Sequence, residues 1–267
     1  MEKKLLTIFG ASGLVGSSIL REALDRGYHV NGTLRDIEKQ DRITRLKSLP
    51  SGNNAKFFQA DMAEISSLDH PLINSDAAII CCLIPTYKGF DGTPAKELDD
   101  ERGYNEIIKP TVDGCLNILK SAKINNVKNI LICSSTSSTN PIPPVLVKNE
   151  LDHWSDEKEQ CNSKKYTSAA KTYMERAAFK FCNENNLRLS VFLPTGLYGP
   201  AILPEHLKHN PFLWIKNVLE GGPPRHQKVP NDSASLIHLQ DLAKLFLAAY
   251  ENPSASGRYF GVLESFH

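Results

Sequence analysis

A chain of 267 residues with 41% hydrophobic and 23% charged residues has the make-up of one large globular domain, or of a domain carrying a smaller lobe. Its formal net charge of +1 offers neither nucleic acid nor an anionic membrane an electrostatic hold. No apolar window reaches the length of a membrane span, and the first apolar run is too short for a signal peptide. The six cysteines form no C-x-x-C pair, so a cytoplasmic, metal-free protein with reduced thiols is expected.

Leu5–Phe9 is an apolar, β-branched run that reads as a buried strand and leads into Gly10-Ala11-Ser12-Gly13-Leu14-Val15-Gly16. Beyond it Val15, Ile19, Ala23 and Leu24 fall on one helical face that ends at Gly27. Strand, glycine turn and helix together are the setting in which spaced glycines bind a dinucleotide. Gly10 serves the turn, Gly13 lets a pyrophosphate approach the main chain, and Gly16 lets the helix pack close to the strand. Free N–H groups around Ser12, Leu14 and Val15, at the positive end of the helix, then favour phosphate.

Tyr28–Leu34 reads as a second strand ending in Arg35-Asp36. An acid at that end would accept hydrogen bonds from a ribose 2′-hydroxyl, whereas an arginine matches a 2′-phosphate. Arg35 is followed by Lys39, Arg42 and Arg45 on a short polar helix, which favours NADPH over NADH; an exposed basic face is the plainer reading of such a run. Lys56–Asp61 is a third strand, with Asp61 and Met62 near the adenine or Asp61 capping the next helix. Ala77–Leu83 is a fourth, wholly apolar strand that carries Cys82 and Leu83 towards the nicotinamide half and stops at Pro85. A helix over Tyr104–Lys123 and a fifth strand at Asn129–Cys133 lead into Ser134–Ser138. Pro141–Val147 is a loop near the substrate, with His153 and Trp154 as candidate pocket-lining residues.

A long helix over Lys165–Asn183 precedes a sixth strand at Leu187–Leu193. After Pro194, Gly196 and Leu197 the pattern weakens, with one helix around Phe212–Leu219 inside a proline- and glycine-bearing stretch, 200–228. Ser235–Leu239 and a helix over Leu242–Tyr250 return to the sheet, His238 and Asp241 helping to pack it. The alternation defines an α/β protein: a Rossmann-type doubly wound parallel sheet with a small C-terminal substrate lobe. Residues 1–193, completed by about 235–250, form the NADP-binding domain, and 194–267 are mostly substrate lobe.

The motifs GASGLVG, TLRD, QADM, NEIIKPTVDGCLNIL, ICSSTS, HWSD, LPTGLYGP, LIHLQDLA and GRYF, in that order, resemble the extended short-chain dehydrogenases/reductases. Within them the chain is most similar to the dihydroflavonol reductase and cinnamoyl-CoA reductase group. That family usually continues several dozen residues past GRYF, so a chain cut short at His267 is expected. The resemblance implies an NADPH-dependent reductase of a small aldehyde or ketone, monomeric or homodimeric. It also implies a serine that steadies the carbonyl oxygen, a tyrosine that donates a proton, and a lysine that lowers the tyrosine pKa and holds the ribose. Backbone around Pro194, Gly196 and Leu197 would close over the nicotinamide.

The serine maps onto Ser135, beside Ser134 and Thr136, and the lysine onto Lys171. The tyrosine position, four residues before Lys171, holds Thr167, and Tyr166 precedes it. Four residues along a helix leave two side chains about 40° apart, and five leave them about 140° apart. Tyr166 therefore reaches Lys171 only if a π-bulge absorbs the extra residue or the helix begins after it. Otherwise Thr167 occupies the acid's place and relays a proton through water. Two other readings share the fold: a protein that binds NADPH as a sensor without efficient turnover, and a nucleotide-sugar epimerase or dehydratase. The last would want an acid in place of Arg35.

Overall fold

The computed structural model describes residues 4–208, 212–224, 226, 228 and 234–266. Seven strands form the central sheet: β1 (Leu5–Phe9), β2 (His29–Leu34), β3 (Ala55–Gln59), β4 (Ala77–Ile80), β5 (Asn129–Cys133), β6 (Arg188–Pro194) and, after two lobe strands, β9 (Gly257–Gly261). Their order is β3-β2-β1-β4-β5-β6-β9, and every pairing is parallel. Successive side chains on a strand point to opposite faces, so an apolar run covered on both sides feeds two cores. Leu6, Ile8, Ala77 and Ile79 join one buried cluster, while Phe9, Ala78 and Ile80 join the other.

The first cluster is closed by α1 (Leu14–Asp25) and α9 (Leu239–Glu251) through Ile19, Leu20, Leu242 and Phe246. The second is closed by α5 (Lys109–Ile124) and α7 (Tyr166–Glu184) through Cys115, Ile118, Met174 and Ala178. Shorter helices fill the connections: α2 (Gln40–Lys47), α3 (Asp69–Leu72), α4 (Asp100–Gly103), α6 (Glu157–Asn162) and α8 (Phe212–Leu219). In the lobe, β7 (Gly196–Tyr198) runs parallel to β8 (Ala234–His238), which pairs antiparallel with β10 (Glu264–Phe266). Residues 209–211, 225 and 227 of the irregular 200–228 stretch lie outside the described residues.

Several boundaries differ from the sequence reading. The fourth strand ends at Ile80, not Leu83: Cys81 still donates to the Phe9 carbonyl, but Ile84 N–H then closes onto the Cys82 carbonyl at 2.8 Å and turns the chain. The last helix starts three residues early, at Leu239, because His238 accepts the Gln240 N–H as its N-cap. Gly257–Gly261 pairs with β6 and so belongs to the main sheet rather than to the lobe. The helix expected over Tyr104–Lys123 is interrupted by a π-helical segment, Tyr104–Ile108, between α4 and α5.

Candidate cofactor and catalytic site

The glycine turn has the backbone its residues dictate. Gly10 sits at φ +82°, and the Gly13 N–H donates to its carbonyl at 2.9 Å. A Cβ on Gly16 would stand 2.2 Å from the Gly10 oxygen, so only glycine allows this approach. Gly13 is the N-cap of α1 without a side-chain acceptor, and the first turn carries no acid. The N–H groups at Leu14 and Val15 thus face a cradle suited to a diphosphate. Around Ser12 the lobe intervenes: buried His206 meets the Ser12 carbonyl through Nε2 at 3.0 Å and accepts the Leu203 N–H at Nδ1. Nothing in the irregular sequence around His206 signals this contact.

At the other end of the cradle Arg35 is exposed just past β2 and makes no ion pair among the described residues. Lys39 pairs with Asp36 at 3.3 Å, and Arg42 pairs with Glu205 of the lobe. Asp61 accepts the Ala63 N–H at 2.9 Å in a local turn and does not cap the next helical segment, Ile65–Ser67, whose N-cap is Glu64. Met62 packs where Gly114 lacks a Cβ and accepts from Asn117 through its carbonyl. These residues fit a phosphorylated dinucleotide: an uncapped helix start for the diphosphate and a cationic rim at the ribose end.

Lys171 is buried, and its ammonium donates to the carbonyls of Leu83, past the end of β4, and Cys133, the last residue of β5. Burial holds its pKa below 10.5, against the pull of Cys133 and Glu175. Burial also pushes the Cys82 thiol up to about 12 and that of Cys133 to about 11, so both stay neutral beside it. Ser135 is half-buried, and its Oγ accepts the Ser137 N–H at 3.2 Å as the N-cap of a short 3-10 turn, Thr136–Ser138. Ser134 is buried and donates to Glu175.

Glu175 in turn receives Arg258 Nε at 3.0 Å, with both side chains almost wholly out of solvent. Arg258 also donates to the carbonyls of Glu150, His153 and Ser138 and to Ser138 Oγ. Its guanidinium lies 3.6 Å from the Trp154 ring, whose other neighbours include Arg176 at 4.7 Å. Trp154, a candidate for lining the pocket, is instead a packing platform for Arg258, and His153 is bonded into its own loop. The sequence hint for Glu175 was its place one turn after Lys171; Arg258 lay unremarked inside GRYF.

Tyr166 requires a correction. It is the first residue of α7, which is regular α-helix throughout, and its ring is 1% exposed among Leu98, Ile107, Ile108 and Ala170. Its hydroxyl donates to Asp100 Oδ1 at 2.7 Å. The missing Cβ of Gly103 makes the space, since a methyl there would stand 2.5 Å from the ring. The π segment lies in the facing chain at 104–108, not in α7, so nothing absorbs the extra residue. Tyr166 and Lys171 share a helix but bond to different partners, Asp100 and Leu98 for the first, Leu83 and Cys133 for the second. Burial and the Asp100 carboxylate push the phenol pKa up, opposite to what a proton donor needs. Thr167, half-buried one turn before Lys171, is a hydroxyl on its face. Pro194 ends β6, and Gly196 carries no Cβ because one would meet the Ser235 carbonyl at 2.8 Å; Leu197 packs on the first core.

A family model, NAD dependent epimerase/dehydratase, matches residues 6–261, and the chain belongs to that family. It is 28% identical over 264 residues to a bifunctional dihydroflavonol 4-reductase/flavanone 4-reductase of Malus domestica, covering 97% of this chain and 71% of that protein. It is 31% identical over 258 residues to dihydroflavonol 4-reductase of Callistephus chinensis, covering 94% of this chain and 66% of that one. The yeast methylglyoxal/isovaleraldehyde reductase crystallised with NADPH has the same fold, with a TM-score of 0.77 at 21% identity over 98% of this chain and 79% of that one. Among the described residues no helix is long and apolar enough to cross a membrane.

Proposed function

We propose that this protein is an NADPH-dependent oxidoreductase that reduces the carbonyl group of a small aldehyde or ketone. The observation that carries this reading is the Lys171 ammonium fixed between the Leu83 and Cys133 carbonyls, at the strand ends. Arg35, with Lys39 and Arg42, favours the 2′-phosphate, and Gly10, Gly13 and the α1 N-terminus favour the diphosphate. When bound, NADPH supplies the hydride for the carbonyl carbon. The chain's part is to hold the substrate oxygen and deliver a proton to it as negative charge develops there. Ser135 is the half-buried hydroxyl suited to hold that oxygen. Lys171, its ammonium made more acidic by burial, is the proton source, with Thr167 and a water as the relay.

The test follows NADPH absorbance with a panel of aldehydes and ketones. Lys171→Ala should abolish turnover, Thr167→Val should lower kcat about 10- to 100-fold, and Tyr166→Phe should leave it within about twofold. A large loss of kcat in Tyr166→Phe would return the proton to the phenol. One observation favours a second reading: among the described residues no phenol hydroxyl bonds to Lys171. Tight NADPH binding with no turnover on any carbonyl would make the protein a cofactor sensor built on a reductase fold.

A further inference from the structure

Two neighbouring residues of the lobe reach onto the cofactor cradle. The 3-10 turn Pro204–Lys208 is anchored by Leu203, fully buried in the same cluster as Ala11 and Leu242. From it His206 grips the Ser12 carbonyl, and Glu205 reaches Arg42 of α2. Glu38, Lys39, Gln40, Asp41 and Arg42 border an open depression with Glu205 as its far wall, directly beyond the end of β2.

The ion pair that closes this depression is a surface one. Glu205 Oε1 is turned out of solvent against Arg42 Nε. Burial opposes ionisation of Glu205, but its own backbone N–H and Arg42 outweigh burial and keep the carboxyl below its usual range. Both side chains are about one-third exposed, and such pairs contribute little to stability. A guanidinium held this way is open to a better acceptor. A phosphate dianion, with three oxygens in a geometry that suits the guanidinium fork, is one.

We propose that Glu205 is a latch on the 2′-phosphate site. In the free protein it holds Arg42; a ligand bearing a 2′-phosphate takes Arg42 over and releases the Pro204–Lys208 turn from α2. A ligand ending in a plain 2′-hydroxyl leaves the pair closed. The latch makes Glu205 a determinant of cofactor choice and gives the lobe, through residues 203–208, a way to register which cofactor is present. The inference rests on the NADPH reading above.

The test measures binding of adenosine 2′,5′-bisphosphate and of AMP by calorimetry, with hydrogen exchange at the His206 amide, which donates to the Leu203 carbonyl at 3.0 Å. Glu205→Gln should tighten the bisphosphate about two- to fivefold, the range of a partly exposed ion pair, and leave AMP unchanged. In the wild type the bisphosphate should speed His206 exchange and AMP should not; in Glu205→Gln exchange should be fast from the start. If the wild type prefers the bisphosphate but Glu205→Gln changes neither affinity nor exchange, the latch is overturned and the cofactor reading stands. If the wild type binds both ligands equally, the 2′-phosphate site itself fails, and the latch with it.

Discussion

Tyr166 donates its hydroxyl hydrogen to Asp100 at 2.7 Å, and that bond fixes the phenol on the side of α7 that faces Gly103 and the π turn. Lys171, five residues on, points to the opposite side of the same helix, into the strand ends. The helix thus has a structural face and a chemical face, and the tyrosine sits on the structural one.

Removing the phenol hydroxyl should therefore read out as stability. Tyr166→Phe loses one hydrogen bond to a carboxylate, about 1.5–3 kcal/mol for a bond to a charged group. The melting temperature should fall by a few degrees while NADPH affinity is unchanged. Thermal melts and cofactor titration on the same sample check both halves.

The space for that ring comes from one missing methyl group. Gly103→Ala should destabilise the fold by about 1–3 kcal/mol, because the added Cβ meets the ring. Combining it with Tyr166→Leu should cost less than the sum of the two single changes. Strict additivity in denaturant midpoints would show that ring and glycine are not in contact.

Lys171 sets the pH behaviour. Burial lowers its pKa below 10.5, so an activity that needs the ammonium should fall about tenfold per pH unit along an alkaline limb lying below 10.5. The stability sign runs the opposite way. Between the folded pKa and 10.5 the unfolded chain binds this proton more tightly, so the burden of burying the charge is full at neutral pH and is relieved as pH rises. Melting curves of wild type and Lys171→Met should therefore shift relative to each other in favour of the wild type towards pH 10.5.

The Glu175–Arg258 pair behaves as a buried unit. Arg258→Met leaves a carboxylate without its counter-charge and should cost about 3–5 kcal/mol. Glu175→Met with Arg258→Met should recover a substantial part of that loss. A double-variant loss equal to the sum of the two single losses, measured by denaturant unfolding, would mean the pair carries no coupling.

Most of the sheet was readable from the chain because covered strands announce themselves. Asn129–Cys133 is apolar on both faces and was placed at its observed limits, and Phe212–Leu219 was likewise recovered at its ends. Leu83 was drawn into β4 by its hydrophobicity, whereas a tight backbone hydrogen bond one residue later decides where the strand ends. Gly10, Gly13 and Gly16 could be read because each answers a local backbone demand. The partners of Tyr166, Glu175 and Arg42 could not, since Asp100, Arg258 and Glu205 lie 66, 83 and 163 residues away along the chain. The one-residue offset between Tyr166 and Thr167 was plain in the sequence; what the tyrosine does with its hydroxyl was not.

The long arc from Glu175 to Arg258 also bears on how the molecule is made. During synthesis the carboxylate emerges 83 residues before the guanidinium that neutralises it, and the edge of β6 likewise waits for β9. The serine turn at 134–138, which Arg258 clamps, therefore cannot reach its final form while the nascent chain is shorter than this. A ribosome paused within the lobe thus holds a serine turn that has yet to close.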